Sequence, residues 1–83
     1  MISKLNKAID LIEEHLTDED LSPENICQQV GVSDYHFRTV FFHLSGLTLS
    51  QYIKNRRLAE ANRELLQGAK VTDVAFKYGY QSL

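Results

Sequence analysis

Three side chains in one short stretch, Tyr35, Arg38 and Thr39, have the types and spacing to read the edges of DNA bases. Residues three and four apart share a helix face. An arginine fork matches the O6 and N7 acceptors of guanine, and a threonine or tyrosine can rest against the thymine methyl group. His36, Lys54 and Arg56 are the candidates for phosphate contact, which orients a protein on a duplex without reading its sequence. The plain alternative for all six is a solvated helix face. Arg57 falls beside an apolar stripe, so a structural pairing role is expected for it instead. Backbone N–H groups around Pro23 to Asn25 and Asp34 to His36 are a further source of phosphate contacts. Glu24 and Asp34 oppose that use, and first-turn charges complementing a helix dipole explain them equally well.

Other chemistry is poorly served. Cys27 is the single cysteine, so no disulfide forms within the chain and an intracellular, cytoplasmic setting is expected. His36 and His43 are seven residues apart, not the four that place two ligands on one face within a turn, so no metal site is expected. Cys27 reads as a small core residue, and no nucleophile is paired with a base. Neither an enzyme nor a cofactor is expected.

The elements that must position these residues are all helical. The chain has one proline, no alternating β-branched run and four glycines placed as punctuation. A first helix over about residues 3 to 17 carries an apolar stripe at Ile2, Leu5, Ile9, Ile12 and Leu16. A second begins at the Ser22 cap with Pro23 in its first turn, and ends at Gly31. A third starts after Ser33, turns Phe37, Val40, Phe41 and Leu44 inward, and ends at Gly46. Phe42 stands apart, exposed or laid over the next helix. The fourth, about Leu49 to Gln67, opens on the capping-box pair Thr48 and Gln51 and has a stripe of Leu49, Ile53, Leu58, Ala61 and Leu65. It would be roughly 28 Å long. The fifth, about Val71 to Tyr78, turns Val71, Val74 and Ala75 inward and starts at Lys70, a poor cap. The aromatics Phe37, Phe41, Tyr52, Phe76, Tyr78 and Tyr80 are expected to pack rather than to stack on bases.

Two segments repeat. Ile26 to Val32 and Val74 to Tyr80 both run apolar, small, two variable positions, apolar, glycine, apolar, with a serine following within two residues. The small residue allows close helix crossing, the glycine reverses the chain, and the next apolar side chain plugs the angle. The sequence thus predicts an all-α helix-turn-helix bundle in one domain, 1–83. Its parts are a first lobe over 3–46, a linker helix over 48–67 and an incomplete second lobe over 70–83.

This arrangement resembles the DNA-binding domain of the AraC/XylS family of bacterial transcription regulators. The likeness is carried by VGVSDYHFRTVF in the first unit, GLTLSQYIKNRRLAEANRELL in the linker and VTDVAFKYGYQSL in the second. It implies two helix-turn-helix units joined by a long helix, with recognition helices in major-groove segments that recur about every 34 Å. It also implies that Tyr35, Arg38 and Thr39 occupy base-contact positions, and that double-stranded DNA and, for the whole regulator, RNA polymerase are the partners. Cys27 and Lys70 depart from the family's commoner residues. The second recognition helix, due after Ser82, is missing from the sequence, so a longer native protein is expected, with any effector domain after residue 83. With half the contacts missing, DNA binding should fall to about 10⁻⁴–10⁻⁶ M, and the bare surface of the fifth helix could pair two chains. The alternatives are a DNA-binding module of a larger enzyme, such as a DNA-repair methyltransferase, or a helical protein-interaction domain.

A net charge of −2 does not advertise nucleic acid, but its distribution is uneven. Residues 1–34 hold two lysines against eight carboxylates, net −6, and residues 35–83 hold seven cations against three carboxylates, net +4. One face could therefore meet phosphate while another stays in water; chance clustering on solvated faces is the alternative. No apolar run is long enough to span a membrane.

Overall fold

The caps written into the sequence set the helix starts in the computed structural model, which describes residues 2–80. The helices are α1 (Ile2–Glu14), α2 (Pro23–Val30), α3 (Asp34–Ser45), α4 (Leu49–Leu66) and α5 (Val71–Lys77), with no strand among the described residues. The Ser22 hydroxyl accepts from Asn25 N–H at 3.1 Å and the Ser33 hydroxyl from His36 N–H at 3.5 Å. At the start of α4 the capping box closes in both directions. Gln51 N–H donates to Thr48 Oγ1 at 3.1 Å, and Thr48 N–H donates to Gln51 Oε1 at 2.9 Å. Thr48→Ala should cost about 1 kcal/mol, read as a lower urea midpoint at unchanged slope; no shift would show that the box is dispensable. No side chain caps α5, as Lys70 foretold.

The repeated heptads form the same turn twice. At Gly31, with φ +80°, Val32 N–H reaches back to Cys27 O at 3.1 Å. At Gly79, with φ +84°, Tyr80 N–H reaches back to Ala75 O at 2.7 Å. In both, the donor follows the glycine and the acceptor belongs to the small residue, the closing bond of a Schellman turn. Val32 and Tyr80 pack half-buried against the core as the plugs of their turns. Ser82, expected to cap a further helix, lies outside the described residues.

Consecutive helices pack on one another, α1 on α2, α2 on α3, α3 on α4 and α4 on α5. Ala8, Ile12, Leu16, Ile26, Cys27, Val30, Phe37, Phe41, Leu49 and Ile53 fill the larger part of the core, and Ala61, Val74 and Tyr78 continue it toward α5. The Tyr52 ring meets Phe41 edge-on at 5.5 Å. Burial pushes the Cys27 thiol up to about 11, helped by the nearby Asp34 carboxylate, so it is a packed, protonated group.

Several expected core positions lie elsewhere. α1 ends at Glu14 and buries Ala8 and Ile12; Leu16 is buried in the turn that follows, while Ile2 is exposed. Leu5 packs against the core half-buried, and only the first residue of the stripe is left in water. Leu44 is 68% exposed because the last turn of α3 projects past the aromatic pair Phe37 and Phe41. Leu58, Leu65 and Val71 are also exposed, and Phe76, expected to pack, is 78% exposed. With seven residues, α5 covers Ala61 but leaves an apolar cleft lined by Leu58, Leu65, Val71 and Tyr80.

Candidate nucleic-acid interface

The Gly31 turn holds α3 across α2, and the residues facing away from the core form an open groove beside the start of α4. Tyr35, Arg38, Thr39, Phe42 and His43 line one wall, and Thr48 to Ser50 line the other. The three predicted base readers therefore share one surface. Tyr35 stands out at 81% exposed. The Thr39 hydroxyl donates to Tyr35 O at 2.8 Å, which spends its only proton and leaves the methyl group and acceptor capacity for an outside partner. Phe42, for which exposure and cover of the next helix were the alternatives, is about half exposed in the groove wall. Sequence reasoning missed Ser50, which a loop and a helix cap separate from α3. No spacing rule joins such positions.

Arg38 is not free. Its Nη2 donates to Glu24 Oε1 at 2.5 Å, and Asp34 Oδ1 lies 2.9 Å from Nε. The phosphate candidates divide. His36 and Lys54 are exposed, and Lys54 makes no ion pair among the described residues. Arg56 is turned to α1, where Nε meets Glu13 Oε1 at 2.6 Å, and its Nη2 meets Glu60 Oε1, one turn on along α4, at 3.1 Å. The structure does not bring Arg56 to the α3 groove; it ties α1 to α4. The uneven charge of the sequence is thus partly folded onto itself. Glu13 and Glu24 of the acidic half neutralise Arg56 and Arg38 of the basic half.

Arg57 is structural, as its place beside the stripe implied. Nε donates to Leu16 O at 2.8 Å and Nη2 to Asp18 O at 2.9 Å, pinning the loop after α1 to α4. Arg57→Ala should cost about 1–3 kcal/mol by leaving these carbonyls without their charged donor. Amide hydrogen exchange should speed up first around residues 15–21. Equal protection in both proteins would remove this role.

At the far end of α4, Glu64 accepts from Lys77 Nζ at 2.9 Å and from the Tyr78 hydroxyl, holding α5 in place. Burial, then the Glu64 carboxylate, pushes the Tyr78 phenol up to about 12, so it stays a donor. No group of three or more potential metal ligands exists among the described residues. None of their helices is long and apolar enough to cross a membrane.

A capped, outward-facing helix held across a glycine turn by the helix before it defines a helix-turn-helix protein. The comparisons carry this to a family. A family model described as a helix-turn-helix domain matches residues 26–83, well over half of the chain. The chain is 39% identical over 72 residues to the HTH-type transcriptional activator AarP of Providencia stuartii, covering 86% of this chain and 53% of AarP. It is 33% identical over 70 residues to the transposon Tn10 TetD protein of Escherichia coli, covering 83% and 51%. Against the multiple antibiotic resistance protein MarA of Salmonella typhimurium it is 29% identical over 79 residues, covering 94% and 61%. The chain belongs to the AraC/XylS family of helix-turn-helix DNA-binding domains. It spans about half the length of AarP and TetD.

Proposed function

We propose that this chain is a DNA-reading part of a bacterial transcription regulator and that α3 enters the major groove. The groove-lining face of α3 carries this reading. It gathers Tyr35, Arg38 and Thr39 on one surface, with Tyr35 fully presented. In this role those three residues meet base edges, and His36 and Lys54 meet phosphates. Arg56 acts as an internal tie. The name of AarP as a transcriptional activator supports a regulatory outcome, with RNA polymerase as a further partner of the whole protein. The bacterial cytoplasm, where the chromosome lies, is the compartment that the role implies. The open cleft between α4 and α5 supports self-association, which sedimentation at rising concentration would detect; a monomer at every concentration would exclude it.

DNA binding itself is tested by titrating a labelled duplex at rising salt. Two phosphate contacts predict a slope of log affinity against log salt of at most about −2, at roughly −0.9 per contact. An expected affinity of about 10⁻⁴–10⁻⁶ M keeps the measurement at low ionic strength. Failure to bind at low salt, or binding indifferent to salt, would overturn the reading.

A further inference from the structure

The Arg38 guanidinium is held from one side only. Glu24, in the first turn of α2, accepts from Nη2 at 2.5 Å. Asp34, one turn before Arg38 on α3, places Oδ1 2.9 Å from Nε. Nε is buried with no well-aligned hydrogen-bond partner, and Asp34 holds it as an ion pair. Nη1 makes no hydrogen bond within the described residues. Arginine offers five N–H donors in a rigid fork. Two carboxylates on the Nε/Nη2 side therefore leave the Nη1 end as the one to present to a ligand. The groove lined by Tyr35, Thr39 and Phe42 also takes in Arg38.

We propose that Glu24 and Asp34 are positioning residues for base readout, holding Arg38 so that its Nη1 end meets guanine. This rests on the reading of α3 as the DNA-entering helix. Two effects follow from the geometry. A long, flexible side chain is fixed before binding, so less freedom is lost when guanine is engaged. Two negative charges beside the guanidinium also repel phosphate, so Arg38 is kept for an uncharged acceptor pair and away from the DNA backbone. Glu24 and Asp34 thus trade general affinity for discrimination.

The test separates those quantities. Binding is measured for Glu24→Ala, Glu24→Gln, Asp34→Asn and the parent protein on duplexes that vary at the base pair whose preference Arg38→Ala relaxes. Glu24 is largely exposed, so a normal helical spectrum and melting temperature are expected for its variants. Glu24→Ala should bind random duplex more tightly, yet show a ratio of guanine-bearing to other sites about two- to tenfold smaller. Glu24→Gln keeps an acceptor oxygen in place and should recover part of the ratio. Asp34→Asn should act in the same direction. A carboxylate that acts only through overall charge would raise affinity for every sequence and leave the ratio untouched, and that result would overturn the proposal. So would a larger ratio, which would make Glu24 a competitor for Arg38. If the parent protein shows no salt-dependent DNA binding, the reading of α3 fails instead. If the parent discriminates and only the carboxylate variants leave its ratio unchanged, the positioning role alone fails.

Discussion

Arg38→Ala should flatten base preference at one position of the bound DNA while leaving preference elsewhere intact. A bidentate arginine–guanine pair discriminates by about 1–3 kcal/mol, a loss of roughly 5- to 150-fold in the ratio between guanine and the other bases there. The measurement is competition among duplexes differing at single base pairs, at fixed low salt. Lys54→Ala provides the contrast. An exposed lysine without an ion pair among the described residues, meeting phosphate, should weaken all sequences alike and reduce the salt slope by about one. If Arg38→Ala behaves like Lys54→Ala, Arg38 is a phosphate contact. If no base preference changes at all, its assignment as a base reader fails.

Phe37→Ala should come close to unfolding the protein. Phe37 is 1% exposed and stacks toward Phe41 at a ring separation of 6.4 Å, under the helix that carries the groove. Truncating a buried phenylalanine costs about 3–5 kcal/mol, from lost transfer energy and the cavity left behind. A domain this small is stabilised by only about 3–5 kcal/mol. The thermal midpoint should therefore fall by roughly 12–40 °C, or the cooperative transition should vanish. Leu44→Ala, on the same helix but mostly exposed, should stay within about 0.5 kcal/mol of the parent. A Phe37→Ala protein melting within a few degrees of the parent would contradict the packing described for α3.

These two variants mark how far the sequence could be read. Leu44 and Phe37 both belong to the apolar stripe of α3, and helical periodicity treats them alike. The core occupies only part of that helix, so one is sealed and the other wet. The same reasoning explains Leu58 and Leu65 on α4. Their spacing is correct for a buried face, but burial needs a second surface, and the seven residues of α5 do not reach over them. Caps behave differently. Ser22, Ser33, Thr48 and Gln51 act as expected because each bond spans three residues and needs nothing from elsewhere in the fold.

The candidate site divides along the same line. Tyr35, Arg38 and Thr39 could be grouped from spacing alone, since a single helix carries all three. Arg56 and Arg57 are adjacent and chemically identical, yet one meets two carboxylates and the other two backbone carbonyls. Sequence position separates them by about 100° around α4; what each then meets depends on where α1 comes to rest. Glu24, fourteen residues before Arg38, read as a helix-dipole charge and proved also to hold the guanidinium.

By itself the sequence determined what is local and periodic: five helices, the N-caps of α2, α3 and α4, the paired glycine turns and the grouping of the candidate reading face. These follow from bonds and spacings within a few residues, and the twin turns at Gly31 and Gly79 reproduce them in detail. Only the tertiary structure decided which apolar stripes are covered, which arginines are spent inside the fold, and which end of Arg38 is left to act. Each of those depends on the meeting of segments far apart in the chain, where packing geometry, rather than residue type, chooses the partner.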